Sequence, residues 1–143
     1  MVAAYEEVGG NIVAVEDVPR EHTNRYGIID VGRDDGRLAQ AKGVVEKPRP
    51  DLAPSTLSII GRYILQPEVL EGLDRHETGA GGEIQLTDAI AKTINNIPFH
   101  GLRFDGQRFD CGTKLGFVAA NVAYAIARND LGGDIRTILK DIL

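Results

Sequence analysis

The sequence predicts an α/β fold in which a mixed sheet is flanked by helices. Two observations lead to this class. Apolar, β-branched runs typical of strands interleave with stretches of helical periodicity along the chain. In addition, residues 33–36 (RDDG) contain an Asp-Gly pair, a strong hairpin signal, so at least one pair of strands must be antiparallel. The length of 143 residues fits one domain, residues 1–143, with a core of its own.

The strands are predicted from runs rich in Val, Ile and other apolar residues, bounded by glycine, proline or charged residues. These runs are residues 11–18, 26–31, 38–46, 56–65 and 97–104, with a shorter one at 107–110. Between the third and fourth runs, residues 48–54 hold three prolines and predict an extended surface loop.

The helices are predicted from apolar residues that recur at helical spacing. They are residues 1–8, ended by Gly9-Gly10, residues 67–73, residues 83–95, a helix starting near Thr113 and residues 134–143 with Asp134 as N-cap. The helix after Thr113 has the longest apolar stripe. Residues 77–82 (ETGAGG) contain three glycines in six residues and predict a flexible linker.

Composition excludes several classes of partner. A net charge of −5 with scattered basic residues argues against nucleic acid. No apolar stretch approaches the roughly 20 residues that a membrane-spanning helix requires. Cys111 is the only cysteine, so no intramolecular disulfide is possible, and this suits a cytoplasmic protein. We expect Cys111 to be a small buried residue, since nothing near it in the sequence marks a base that would activate it.

Residues 109–114 (FDCGTK) run through a tight turn into the helix that starts near Thr113. A helix start presents backbone N–H groups and partial positive charge. Asp110 before the turn and Lys114 after it therefore form a candidate site for a phosphate and its magnesium, because Mg²⁺ takes carboxylates alongside substrate phosphates. The commoner alternative remains open from spacing alone: Asp110 or Thr113 caps the helix and Lys114 is solvated.

A second candidate site lies where the third strand meets the proline-rich loop. Glu46 can accept hydrogen bonds from sugar hydroxyls while the ammonium of Lys47 meets a phosphate. Gly27, at the start of the second strand, can let backbone approach a ligand closely. The alternatives are an ordinary charged strand end for the first pair and a bend in an edge strand for the glycine.

Five segments, taken together and in order, resemble the bacterial glucose-1-phosphate uridylyltransferase family, also called UDP-glucose pyrophosphorylases. The matching segments are residues 24–29 (NRYGII), 44–48 (VVEKP), 61–65 (GRYIL), 82–90 (GEIQLTDAI) and 109–116 (FDCGTKLG). The resemblance implies the C-terminal part of a Rossmann-like sugar-nucleotide transferase fold. It also implies a nucleotidyltransferase that joins UTP and glucose 1-phosphate to give UDP-glucose and pyrophosphate.

The same resemblance implies roles for individual residues. Lys47 and Asp110 would be catalytic, with Lys47 on the sugar phosphate and Asp110 as one carboxylate ligand of the Mg²⁺ cofactor. Glu46 would bind glucose hydroxyls, and Gly27 would offer a backbone contact to the sugar. Gly112 and Lys114 would lie beside the metal and bind substrate. Glu83 is expected to be structural. Family members assemble as homo-oligomers, and the same is expected here.

The sequence departs from the family pattern in one respect. The Gly-rich, nucleotide-gripping segment that opens family members and their second metal-binding aspartate are not found in it. We therefore expect a truncated chain that is inactive alone, with an open sheet edge or an apolar patch where the nucleotide-binding portion would pack. Two alternatives stay open: a non-catalytic sugar-phosphate-binding or assembly module, and a sibling enzyme that uses thymidine or adenine nucleotides.

Overall fold

The computed structural model describes residues 1–78 and 82–143. It divides into two compact units, Met1–Phe104 and Asp105–Leu143. The sequence predicted one domain over residues 1–143, and that stays a prediction. Residues 79–81 of the predicted linker at residues 77–82 lie outside the described residues.

The first unit is built on five strands, and all five longer apolar runs form them as predicted. They are β1 (Asn11–Asp17), β2 (Gly27–Asp34), β3 (Leu38–Glu46), β4 (Leu57–Ile64) and β5 (Phe99–Arg103). The sixth predicted strand, residues 107–110, is wrong. These residues pair with no strand in the described part of the chain, and Asp110 instead starts the turn into the next helix, where its backbone oxygen accepts from the Thr113 N–H.

The strands form a closed ring in the order β1-β4-β2-β3-β5, with β5 returning to β1. The β1–β5 pair is parallel and the other pairs are antiparallel, so the predicted mixed sheet is confirmed. The pairing between β2 and β4 is the shortest of these pairings, and its paired position is Ile28 opposite Ser58. Because each described strand has two neighbours, the expected open sheet edge is absent from the described part of this unit.

Three α-helices accompany this sheet: α1 (Val2–Val8), α2 (Pro67–Asp74) and α3 (Leu86–Thr93). The helix predicted from residue 83 therefore begins three residues late. Gln85 has extended backbone angles (φ −100°, ψ 127°) and occupies the N-cap position, so α3 cannot continue through it toward residue 83. A 3₁₀ helix, Arg20–Arg25, leads into β2.

The core of the first unit lies between the sheet and helices α2 and α3. Val69 of α2 and Ile90 of α3 are fully buried against Val13, Ile29 and Phe99 of the sheet. A smaller cluster packs α1 on the sheet through Ala4, with Ile12, Leu38 and Leu102. Burial of apolar surface on this scale is the main stabilising contribution to such a unit. It fixes α3 beside the strands that carry the candidate site.

The second unit contains α4 (Lys114–Ala127) and α5 (Gly132–Ile142). Thr113 is the N-cap of α4, which agrees with the predicted helix start near Thr113. Asp134 is not the N-cap of α5, because that helix already begins at Gly132, after Leu131, and Asp134 lies in its first turn. A carboxylate there still faces the positive end of the helix dipole.

Helix α4 exposes a large part of its apolar side chains. We call the exposed set Leu115, Phe117, Val118 and Tyr124 the α4 apolar surface. Leu115 alone is 82% exposed. These exposed apolar side chains lie on a helix rather than on a strand edge, and a continuous apolar patch stays a prediction. No described helix is long and apolar enough to span a membrane.

Candidate functional site

The end of β3 and the start of β2 bring three predicted site residues together. Glu46, the last residue of β3, lies opposite Gly27 in the antiparallel ladder. The backbone N–H of Lys47 then donates to the Tyr26 carbonyl at 3.0 Å, which extends the ladder by one bond. Gly27, Glu46 and Lys47 therefore form one local cluster.

Glu46 is held from one side and open on the other. Its side chain is 17% exposed, and its Oε1 lies 3.6 Å from the Lys47 Nζ. Its Oε2 accepts a hydrogen bond from the Thr87 Oγ1 at 3.0 Å. A carboxylate has about four lone-pair positions, so this arrangement leaves acceptor capacity for a ligand hydroxyl. The Lys47 side chain is 57% exposed and free to meet an anion.

The backbone of Lys47 is in an uncommon conformation. Its φ of +44° lies in the left-handed region, a property that only His76 shares among the non-glycine residues described. Side chains with a Cβ disfavour this region by about 1 kcal/mol. The turn at Lys47 ends β3 next to Glu46. Such strain is often found at binding sites, where the surrounding structure holds the residue in place.

Gly27 is explained by close packing. A Cβ at this position would lie 2.8 Å from the Thr87 Cγ2 and 3.2 Å from the Glu46 Oε2. Gly27 is buried and belongs to a strand with a neighbour on each side, so the alternative of a bend in an edge strand is wrong. Its predicted backbone contact to a sugar stays a prediction.

Two further residues of this cluster were missed by sequence reasoning. Thr87 of α3 donates a hydrogen bond to the Glu46 carboxylate. Tyr63 of β4 lies close enough to Glu46 for the charge of the carboxylate to affect the pKa of the tyrosine. Burial raises the pKa of the Tyr63 hydroxyl above its usual value, and the negative charge of Glu46 raises it further. Both residues lie in segments that matched the family, but neither segment alone shows that it faces Glu46. Glu83, expected to be structural, is exposed and accepts from the side chain of Gln85.

The other predicted site residues form the turn before α4. The Asp110 Oδ1 accepts from the Gly112 N–H at 3.1 Å. The Thr113 Oγ1 donates to the Asp110 backbone oxygen and accepts from the Gly116 N–H at 3.0 Å. The capping alternative is therefore right for Thr113. Asp110 keeps its second carboxylate oxygen outside these bonds, and its residue is exposed.

This turn also shapes a shallow surface pocket of about 460 Å³, lined by Gly112, Lys114 and Phe117 among others. Cys111 lies in the same lining and is exposed, so its predicted burial is wrong. The cysteine is exposed because the turn residues 110–114 are all on the surface.

The donor set around Asp110 fits only part of a magnesium site. No group of three or more His, Cys, Asp or Glu side chains able to hold a metal exists within residues 1–78 and 82–143. Mg²⁺ usually binds one or two carboxylates and completes its shell with water and substrate phosphates. Asp110 can supply one such carboxylate. The structure thus brings Gly27, Glu46 and Lys47 together in the first unit, and Asp110, Gly112 and Lys114 in the second.

The chain is similar in sequence to several enzymes of one family. The chain is 60% identical over 115 residues to the UTP–glucose-1-phosphate uridylyltransferase of Komagataeibacter xylinus, covering 80% of this chain and 40% of that protein. The enzyme of the same name from Staphylococcus haemolyticus is 43% identical over 142 residues, which cover 99% of this chain and 49% of the relative. The chain is homologous to the UTP–glucose-1-phosphate uridylyltransferases. It spans about half the length of these curated relatives.

Solved structures agree with this relationship. A crystal structure of UDP-glucose pyrophosphorylase complexed with UDP-glucose matches with a TM-score of 0.82 and 37% identity, over 90% of this chain and 49% of that one. The nucleotidyltransferase-type α/β fold implied by the uridylyltransferase resemblance is confirmed. No protein-family model matches the chain.

Proposed function

We propose that this chain forms the sugar-phosphate-binding part of a UTP–glucose-1-phosphate uridylyltransferase. The single observation that supports this best is the Glu46–Lys47 pair: a largely buried, hydrogen-bonded carboxylate beside an exposed ammonium, with Oε1 and Nζ 3.6 Å apart. A sugar phosphate offers hydroxyl donors and an anionic group in one small molecule. The pair provides an acceptor and a cation next to each other.

In this proposal, Glu46 accepts hydrogen bonds from glucose hydroxyls and Lys47 contacts the phosphate of glucose 1-phosphate. The Lys47 ammonium lowers the repulsion between this phosphate and the triphosphate of UTP, so Lys47 is catalytic as well as binding. Gly27 allows the carboxylate of Glu46 to lie against α3, in addition to its proposed backbone contact with the sugar. Binding fixes the orientation of the attacking phosphate oxygen.

Asp110 is proposed as one carboxylate ligand of Mg²⁺, with Gly112 and Lys114 binding substrate beside it. When bound, Mg²⁺ offsets the negative charge that accumulates between reacting phosphates. The Asp110 carboxylate fits this role because one of its oxygens is engaged by the Gly112 N–H while the residue stays exposed. Lys114, at the first position of α4, adds positive charge where phosphates favour a helix start.

The proposed reaction is a direct transfer. A phosphate oxygen of glucose 1-phosphate attacks the α-phosphorus of UTP, the bond to the bridging oxygen breaks, and pyrophosphate leaves with that electron pair. UDP-glucose is the other product, which places the reaction in carbohydrate metabolism. The chemistry requires no covalent enzyme intermediate, so positioning and charge neutralisation account for the rate.

Turnover is proposed to need residues in addition to these 143, because Asp110 supplies only one of the two carboxylates expected to bind the metal. The competing proposal is a non-catalytic sugar-phosphate-binding or assembly module. The exposed α4 apolar surface favours assembly, and we propose that the protein is a homo-oligomer. A cytoplasmic location is consistent with the single cysteine.

A chimera tests the proposal. Residues 1–143 would replace the aligned portion of the Staphylococcus haemolyticus relative, which matches over 142 residues. We expect pyrophosphate release from UTP and glucose 1-phosphate that depends on Mg²⁺, and loss of most of this activity in the Asp110→Asn chimera. A folded chimera that binds UTP but releases no pyrophosphate would overturn the catalytic proposal. The 143-residue chain by itself is expected to show no release above a protein-free control.

A further inference from the structure

We propose that Thr87 is a positioning residue for the Glu46 carboxylate, and thereby sets the selectivity of this site for a sugar phosphate over a simple phosphate. The inference rests on the proposed function of Glu46 and Lys47. Thr87 itself need not touch the substrate. It acts by holding one carboxylate oxygen so that the other is presented beside Lys47.

The geometry around Glu46 supports this assignment. Thr87 Oγ1 donates to Glu46 Oε2 at 3.0 Å, while Glu46 Oε1 lies on the Lys47 side. A glutamate side chain has three rotatable bonds, and fixing them on ligand binding costs free energy unless they are fixed beforehand. The Thr87 hydroxyl fixes the orientation of the carboxylate plane before any ligand arrives.

Thr87 is itself well held. It is 6% exposed and lies in the first turn of α3, whose Ala89 and Ile90 are buried in the core of the first unit. The methyl group of Thr87 packs against the backbone of Gly27, where a Cβ would be only 2.8 Å away. The hydroxyl is therefore aimed at Glu46 by packing on its other side. A support that is rigid in this way is what an oriented binding group requires.

The hydroxyl and the methyl group of Thr87 can be separated by two substitutions. Thr87→Val keeps the shape and removes the hydrogen bond, whereas Thr87→Ser keeps the hydroxyl and removes the methyl. Thr56→Val is the matched control, because Thr56 Oγ1 also donates to a carboxylate, that of Asp17, at 3.1 Å. Titration calorimetry of the 143-residue chain with glucose 1-phosphate and with inorganic phosphate would measure the selectivity of each variant.

We expect Thr87→Val to weaken binding of glucose 1-phosphate about tenfold, as one hydrogen bond to a charged group is lost. Binding of inorganic phosphate should stay within about twofold, because it depends on Lys47. Thr87→Ser should restore most of the selectivity, and Thr56→Val should match the wild type. Equal weakening for both ligands, or full selectivity in Thr87→Val, would overturn the proposal.

A readout without ligand separates this inference from the proposed function. NMR relaxation of the Glu46 side chain should show increased mobility in Thr87→Val and a mobility closer to that of the wild type in Thr87→Ser. If the wild type binds no glucose 1-phosphate, the proposed function is wrong. The relaxation data would still test whether Thr87 orients the Glu46 side chain. A Glu46 side chain that is equally ordered in wild type and Thr87→Val would contradict that role.

Discussion

Gly27 and Thr87 are packed so closely that residue 27 cannot carry a side chain without a shift. A Cβ on Gly27 would come within 2.8 Å of the Thr87 Cγ2, well inside normal contact. Thr87 in turn donates to the Glu46 carboxylate. The glycine at the start of β2 therefore allows α3 to approach the end of β3, and this approach creates the candidate sugar-phosphate site.

Gly27→Ala should destabilise the chain by about 1–3 kcal/mol, the usual range for overpacking a filled core. Chemical denaturation of both variants measures this. Thr87→Ser removes the methyl group that the new Cβ would meet, so the double variant should recover part of the loss. A double-mutant cycle with coupling below about 0.3 kcal/mol would show that the two positions are independent.

Lys47→Gly should make the chain more stable while weakening its proposed binding. Glycine adopts the positive φ of this position without steric cost, and a gain of about 1 kcal/mol is expected. Binding of glucose 1-phosphate should fall at least tenfold, because a charge-assisted contact to phosphate is lost. His76→Gly is the control, since His76 has a φ of +55° and is exposed.

The His76→Gly control should gain a similar amount of stability and should bind glucose 1-phosphate as tightly as the wild type does. If Lys47→Gly destabilises the chain while His76→Gly stabilises it, then the Lys47 side chain contributes more to the fold than the exposed ammonium suggests. If both variants bind glucose 1-phosphate equally well, Lys47 is not a phosphate ligand.

Much of this fold could be predicted from the sequence because local signals were strong. The five longer strands each lay in an apolar run, which was β-branched in the first four, and the Asp35-Gly36 pair predicted the hairpin between β2 and β3. The failures had long-range causes. Residues 107–110 found no partner strand, and nothing in the local pattern shows that β5 closes the ring by pairing in parallel with β1. Pairing of distant segments is not encoded in periodicity.

The candidate site shows the same division. Glu46 and Lys47 are adjacent in sequence, and their position at a strand end was visible. The contact between Glu46 and Thr87 joins residues 41 positions apart, so only the packed structure reveals it. Likewise, no sequence pattern indicated the positive φ of Lys47, because lysine rarely adopts this conformation.

Acidification should destabilise the chain partly through His100. Burial lowers the pKa of this imidazole below its usual value, and its Nδ1 has no hydrogen-bond partner among the described residues. Below the unfolded-state pKa of about 6.5, the unfolded chain takes up a proton that the folded chain resists. The stability contribution is thus complete above this pH and is lost as the pH falls toward the folded-state pKa.

Urea denaturation between pH 7.5 and pH 5.5 would measure the effect. His100→Leu should flatten the pH dependence of the free energy of unfolding across this interval. His76→Asn, at an exposed position, serves as the control and should follow the wild type. A His100→Leu variant with an unchanged slope would show that His100 does not determine the acid response in this interval.

The α4 apolar surface should drive self-association. Leu115→Glu combined with Val118→Glu places two charges on side chains that are now exposed and apolar. We expect the apparent mass in sedimentation velocity to fall to that of a monomer, with unchanged helix content. Arg62→Glu changes the net charge by the same amount at an exposed position of β4 and should leave association intact. A wild-type chain that remains monomeric across a wide concentration range would contradict the proposed homo-oligomer.

The most direct test of the account is titration calorimetry of the 143-residue chain with glucose 1-phosphate, comparing wild type with Glu46→Gln. Glutamine keeps the size and can still accept from Thr87, but it lacks the charge that strengthens hydrogen bonds from sugar hydroxyls. We expect measurable binding by the wild type and at least tenfold weaker binding by Glu46→Gln, with binding of inorganic phosphate nearly unaffected. A folded wild type that does not bind glucose 1-phosphate, or binds it as tightly after the substitution, would contradict a sugar-phosphate site at the end of β3.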